Sequence, residues 1–394
     1  MAQALYLSPT TPVRRRKPSP RMLAELIEHK ERWVRHELAR CEQTPLKALA
    51  RLAEDGDYRV REAVAGNPRA PKRLLLRLAR DDNPYVRARV AARSDVPKAL
   101  AWLGQDPLWE IRKMVANNPN TPASVLARLC QDPSAEVREA VASNSSAQPS
   151  VLARLSRDFA PEVRKAVASH PLAPKEALRR LAKDPDPEVR LQVARHPQTP
   201  EDWLARFAKS SNPEMRREVA KNPSTPEAVL LQLSRDEDRE VRVRVGANPA
   251  LSGAALLCLA RHEDLSIRVG VARNPSAPAE ALVGLARDQN SRVRSEVAQN
   301  PHTPKEVLEE VLAQLAEDED LFVRREVARN LRTPPEVLTR LAEDEVYAVR
   351  QEVARNPFTP EEVLVLLALT EGPNLARMAS DTIRAIQGLR KEEP

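Results

Sequence analysis

NPSTPEAVLLQLSRDEDREVRVRVGA, residues Asn222 to Ala247, is one period of a pattern that returns along nearly the whole 394-residue chain. Read for local physics, it contains two helix starts and two stops. Thr225 is placed as an N-cap, with Pro226 at the first helical position, where a missing N–H costs nothing. Sister periods add a glutamate three residues on, the capping-box spacing: Thr303 with Glu306, Thr333 with Glu336, Thr359 with Glu362. The first helix then gathers Val229, Leu230 and Leu233 on one face, and Asp236 to Asp238 end it and cap the next. A second helix presents Val241 and Val245, four residues apart, to the same core. Asn248-Pro249 stops that helix, because a residue before proline is pushed out of the helical region. Each period predicts two short helices and two tight turns.

The period is set by an arginine, usually within Val-Arg: Arg35, Arg61, Arg87, Arg112, Arg138, Arg164, Arg190, Arg216, Arg242, Arg268, Arg294, Arg324 and Arg350. The spacing is 26 except for 25 between Arg87 and Arg112 and 30 between Arg294 and Arg324. A fixed period of this length marks an all-α solenoid, whose units bury their apolar faces against one another. The expected organisation is a basic arm over residues 1–14, a degenerate capping repeat over 15–40, twelve repeats over 41–355, and a divergent capping repeat over 356–394. The last ends in a helix around Ala379 to Leu389. The long interval comes from LEEVLAQLA, Leu308 to Ala316, which adds about one helical turn to a first helix. The short interval is a deletion before Leu100, expected to disturb the stacking near Trp102 and Trp109.

Composition narrows the function classes. Aromatic residues are 3% of the chain and there are nine glycines, which argues against a sheet sandwich or a glycine-rich phosphate-binding enzyme. The 35 prolines fall mostly at two slots per period. The net charge of +7 permits a polyanionic partner without demanding one. Cys41, Cys130 and Cys258 stand in different repeats with no paired spacing, as in a reducing compartment. No apolar run reaches membrane-spanning length and the start lacks signal-peptide order. A soluble, cytoplasmic, monomeric and thermally robust protein is expected, with no cofactor and no membrane partner.

The pattern NPxTPxxVLxxLAxDxxxxVRxxVAxN closely resembles the variant leucine-rich repeat, and the resemblance covers nearly the whole chain. It implies a right-handed superhelix of about 14 two-helix repeats, alternating α- and 3₁₀-helices without a sheet, distantly similar to HEAT repeats. One described member of that family carries an N-terminal iron–sulfur cluster held by clustered cysteines. Here Cys41 stands alone near the start, so no cluster is assigned.

The thirteen arginines read as a structural ladder. Ten repeats place an aspartate six residues before the arginine, so each guanidinium can bridge a carboxylate and helix-end carbonyls along the stack. Ser210 and His262 replace the aspartate, yet Arg216 and Arg268 remain, so other partners are expected. More telling for function are two outward slots on the first helix. One row holds Arg51, Arg77, Arg128, Arg154, Arg180, Arg206 and Arg340. The other holds Arg80, Arg157, Lys183, Lys209, Arg235, Arg261 and Arg287, and turns acidic at its ends with Glu28, Glu54, Glu317 and Glu343.

A basic stripe confined to the middle, with Arg14-Arg15-Arg16-Lys17 as a basic arm, can track nucleic-acid phosphates without reading bases. Against this stands a solvated, helix-favouring face neutralised by acids such as Glu176 and Glu280. A further set at second-helix ends, Arg195, Lys221, Arg273, Arg329 and Arg355, reads as complementing the helix dipole.

No zinc spacing, nucleophile elbow or phosphate loop appears, and the six histidines are scattered; His170 and His196 replace the turn asparagine. Trp33, Trp102, Trp109 and Trp203 do not gather with an acid as in a HEAT-like DNA glycosylase, so catalysis is the minor alternative. The reading is a non-enzymatic scaffold for macromolecular binding, with DNA or RNA backbone as the sharper partner. The rival is a protein partner docking near Trp102 or near Leu312.

Overall fold

The structure, a computed structural model, describes residues 20–390. Among them every regular element is a helix, and there is no strand. The chain divides into two compact units, residues 1–189 and 190–394. Both are built from repeated helix pairs, an all-helical repeat solenoid architecture. The basic arm expected at residues 1–14, with Arg14 to Lys17 at its edge, lies outside the described residues.

In the first unit a representative pair is Ala123–Leu129 followed by Ala135–Ser143. Val125, Leu126 and Leu129 of the short helix meet Val137 and Val141 of the longer one, all buried. In the second unit Glu227–Leu233 and Arg239–Gly246 bury Val229, Leu230, Leu233, Val241 and Val245 in the same way. Each fully buried aliphatic side chain contributes about 1.5–3 kcal/mol. Isolated helices of seven and nine residues are too short to persist in water, so stability comes from stacking. No described residue has positive φ, so turns made of Asn-Pro and Asp need no glycine.

Four local expectations are corrected. The threonines do not cap. Pro226 takes the cap position with no side-chain bond, and the buried Thr225 hydroxyl instead donates backward to Val219 O at 2.6 Å. Thr333 and Thr359 do the same to Val327 O and Val353 O, and Thr303 donates to Asn300 O, so the capping boxes are not formed from the threonine side. The short helices are α rather than 3₁₀ through their middle, with 3₁₀-type bonds only at their ends. Ser234 N–H reaches Leu230 O at 2.9 Å, whereas Val229 N–H reaches Pro226 O and Asp236 N–H reaches Leu233 O.

The deletion is absorbed in a turn. Ser94 replaces the asparagine, its Oγ accepts from Val96 N–H at 3.0 Å, and Pro97–Leu103 keeps its seven residues. The last helix runs over Pro373–Arg390, starting earlier than expected, with Leu375 in the core. The added turn behaves as predicted: Lys305–Leu315 has eleven residues and buries Leu308, Val311, Leu312 and Leu315. Leu312 is therefore a core residue and offers nothing to a partner.

Candidate nucleic-acid interface and the ladders behind it

The positions of surface arginines depend on what fixes each repeat to the next, and two ladders do this. In the first, each period arginine reaches forward. Arg138 Nε and Nη2 hold both carboxylate oxygens of Asp158, at 2.6 and 2.9 Å. Its Nη1 donates to the Asp132 carbonyl at 2.7 Å. The aspartate six residues earlier thus supplies its backbone oxygen, while the carboxylate comes from the following repeat. The same fork joins Arg35 to Asp55, Arg61 to Asp81, Arg87 to Asp106, Arg112 to Asp132 and Arg164 to Asp184 in the first unit. In the second it joins Arg216 to Asp236, Arg268 to Asp288, Arg294 to Asp318 and Arg324 to Asp344.

This forward reach explains why Arg216 and Arg268 persist without an aspartate six residues before them: Ser210 O and His262 O serve instead. Arg242 turns to Asp264 at 2.8 Å and Arg350 to Glu371 at 2.8 Å, and Arg190 lies half-buried in Pro187–Arg195. Neither the lost residue nor the added turn breaks the ladder, since Arg87–Asp106 and Arg294–Asp318 close at 2.7 and 2.6 Å. Burial by itself raises the Asp81 carboxyl, yet the Arg61 fork and the Asn83 N–H outweigh it and hold it below its ordinary value.

The second ladder was not legible as such. The turn asparagines are buried and reach backward. Asn248 Nδ2 donates to Ala220 O at 2.7 Å and Asn222 O at 2.9 Å, while its Oδ1 accepts from Ala250 N–H at 2.9 Å. Asn144 does the same to Ala116 O and Asn118 O. His170 fits this slot, with Nε2 at 3.0 Å from Asn144 O and Nδ1 accepting from Leu172 N–H. The sequence showed the asparagine only as a helix stop. Its recurrence at one slot of the period, in most repeats just before proline, was the signal, and burial supplied the meaning.

On this frame the two basic rows are all exposed. At their ends they are neutralised: Arg51 meets Glu28 at 3.7 Å, Arg77 meets Glu54 at 2.6 Å, and Arg340 meets Glu317 at 2.5 Å. Arg261 and Arg287 also find acids, Glu280 at 3.5 Å and Glu310 at 3.7 Å. Glu176 pairs with Arg179 and leaves the rows alone. In the first unit Arg128, Arg154, Arg157 and Arg180 meet no carboxylate within 4.0 Å among the described residues, though Arg128 donates to Ala101 O at 3.1 Å.

Trp102 takes an arginine's slot in the row and lies half-buried under Arg80, whose guanidinium is 3.7 Å from the ring centroid. In the second unit Lys209 and Arg235 are exposed and meet no carboxylate within 4.0 Å among the described residues, and Arg206 lies 4.8 Å from the Trp203 ring. Lys183 is exposed in the first unit.

Within each unit the second helices pack closely on one another while the first helices meet their successors at few points. The rows therefore lie on the wider-spaced side of each stack. The second-helix end set does more than complement dipoles. Arg195 pairs with Glu214 at 3.3 Å and Glu218 at 3.4 Å, and Arg273 Nε with Glu296 at 2.6 Å. Cys41 and Cys258 are exposed, and Cys130 is buried, its thiol pushed up by desolvation.

The family model of the leucine rich repeat variant matches residues 58–83, 109–134, 161–186, 213–238, 266–290 and 321–346. The chain carries leucine-rich repeat variant repeats. Between matched windows, within each unit, further helix pairs continue through the same two ladders. Among solved structures the chain is similar to a leucine-rich repeat variant described as a novel repetitive structural motif, at 25% identity, over 58% of this chain and 88% of that one, with a TM-score of 0.39. It is also similar to an engineered protein (20% identity, 93% and 98%, TM-score 0.25) and to Kap121p bound to Ste12p (15% identity, 93% and 48%, TM-score 0.35). No curated protein matches the chain. Among the described residues no helix is long and apolar enough to cross a membrane.

Proposed function

We propose that this chain is a non-enzymatic scaffold that binds the nucleic-acid backbone through the middle of its arginine rows. The observation that carries the reading is the contrast between neutralised ends and an unneutralised centre. Arg51, Arg77 and Arg340 each spend their charge on a glutamate, whereas Arg154, Arg157 and Arg180 keep theirs for solvent or a ligand. Guanidinium groups are suited to phosphate because their planar fork matches two oxygens. Within each unit, helix stacking presents them at regular intervals, which serves a repetitive polyanion without base readout. Placement on the wider-spaced side suits a ligand that runs along the stack more than one held in a cleft.

The test is fluorescence anisotropy of labelled duplex DNA, single-stranded DNA and RNA over a salt series. If about six row charges meet duplex phosphates, log K falls against log salt with a slope of about −5. The variant with Arg128, Arg154, Arg180 and Arg206 all changed to Glu loses that binding, while circular dichroism stays unchanged because all four side chains are exposed. Absence of binding at low salt, or a slope near zero, overturns the proposal.

A further inference from the structure

The first unit sets an apolar edge beside the part of its arginine rows that no acid neutralises. The turn between the two helices of a repeat carries one outward residue, five positions before the ladder arginine. That slot holds Gly56 and Asp82 in early repeats, then Pro107, Pro133, Phe159 and Pro185 in four consecutive ones. In the second unit it holds Ser211, Gln289 and otherwise glutamates. Phe159 is 98% exposed, more than any other large apolar side chain among the described residues, so packing does not account for it. Its backbone is nonetheless fixed, because Arg164 Nη1 donates to the Phe159 carbonyl at 2.9 Å and to Asp158 O at 2.8 Å. The ladder thus holds a bare ring at a set place on the surface.

Charge divides the surface on the two sides of that ring. On the first-helix side stand Arg154, near the end of Pro149–Leu155, and Arg157, two residues before Phe159. Both are exposed and meet no carboxylate within 4.0 Å among the described residues. Arg128 and Arg180 take the slot of Arg154 in the repeats before and after. On the second-helix side the exposed acids Glu136 and Glu162 stand in the first turns of Ala135–Ser143 and Pro161–Ser169. The carboxylate nearest in sequence, that of Asp158, is taken by Arg138. A polyanion therefore has one favourable track past Phe159, along the first helices, with the ring at its edge.

We infer that the nucleic acid held by the rows is single-stranded and that Phe159 stacks on one of its bases. The inference rests on the proposed function and adds the form of the ligand and the residue that selects it. In a duplex the bases stack and pair with one another, and their faces are closed to a side chain standing on a turn. A duplex also carries phosphates on both strands, and the acids beyond the ring give the second strand no counter-charge. A single strand lays its phosphates along the arginines and turns an unstacked base onto the ring. Basic tracks with aromatic platforms hold single strands in this way without reading sequence. Pro133 and Pro185, both exposed, offer neighbouring bases further apolar contact. Size argues against a protein in this place. One ring between prolines suits a base, whereas a stable protein interface takes about 800 Å² from each partner.

The experiment measures fluorescence anisotropy of labelled oligo(dT), a duplex of the same length and polyglutamate against the full chain over a salt series. Wild type binds oligo(dT) more tightly than the duplex. Phe159→Ala weakens oligo(dT) by about tenfold, while the duplex changes by less than about twofold. Because the ring neutralises no phosphate, that gap stays constant with salt and the slope of log K against log salt is unchanged. Phe159→Trp keeps the affinity, and oligo(dT) quenches its added indole. Both variants keep the wild-type Tm, since the side chain packs against nothing. The four-arginine variant loses oligo(dT) and duplex alike. A wild-type preference for the duplex overturns the inference and leaves the proposed function standing. So does an alanine variant that binds oligo(dT) like wild type, or that loses both forms equally. Failure of wild type to bind either nucleic acid removes both readings. Polyglutamate binding that the alanine variant loses assigns the ring to an acidic protein and overturns the inference as well.

Discussion

Replacing Asn248 with alanine removes a side chain that occupies three backbone groups at once. The carbonyls of Ala220 and Asn222 lose a donor, and the Ala250 N–H loses its acceptor. The site is 1% exposed, so water does not readily take over. An unsatisfied buried polar group costs about 1–3 kcal/mol, and with partial relaxation the three together cost about 3–5 kcal/mol. Asn248→Asp, nearly identical in shape, costs more, because a carboxylate oxygen then faces two carbonyls. Asn248→His costs less than about 1 kcal/mol, since imidazole already serves this slot at His170 with a ring nitrogen toward Asn144 O. Urea unfolding followed by circular dichroism orders the midpoints as wild type, His, Ala, Asp, with similar slopes. An alanine variant within about 0.5 kcal/mol of wild type, or a histidine variant as damaged as alanine, refutes the reasoning.

The glycine at 270 gives a sharper steric prediction. A Cβ there would lie 2.3 Å from Val243 O and 2.9 Å from Gly246 Cα, backbone atoms that cannot rotate away. Gly270→Ala lowers stability by about 3 kcal/mol or more, whereas Gly284→Ala, with nothing within 4 Å, raises it by about 0.5–1 kcal/mol; thermal melts of both variants check this. The pH response follows from the carboxyls. Asp238 is held at about 2, chiefly by the Arg217 hydrogen bond, and Asp55, Asp81, Asp132, Asp158 and Asp344 are also held below their ordinary values. Unfolded aspartate titrates near about 3.9, so the lowered folded values stabilise the protein above that pH. That contribution drains away as pH falls from about 4 towards 2, and a Tm that is flat across this range counts against it.

The sequence displayed the helix pairs because apolar spacing and proline position are local signals. It displayed the extra turn over Lys305–Leu315 for the same reason. What it hid is relational. Thr225 has the composition of a cap, but its hydroxyl turns back to Val219 O, since the proline carbonyl already starts the helix. Asp158 reads as the neighbour of Arg164 six residues on, yet its carboxylate belongs to Arg138 twenty residues before. The arginine rows were visible as a pattern. Which members keep their charge was not, because Arg77 and Arg154 look alike until Glu54 is found 2.6 Å from the first.

The two ladders point in opposite directions: asparagine donates to the repeat before it, and arginine to the repeat after it. An internal repeat of either unit is thus a module with matching plugs and sockets at both ends. Where the flanking repeats of a unit keep both the aspartate and the asparagine, a whole period can be cut out or duplicated and each donor still finds an acceptor. Length in such an array is an adjustable quantity, except at the joins where Ser94, Ser210 or His262 stands in a ladder slot.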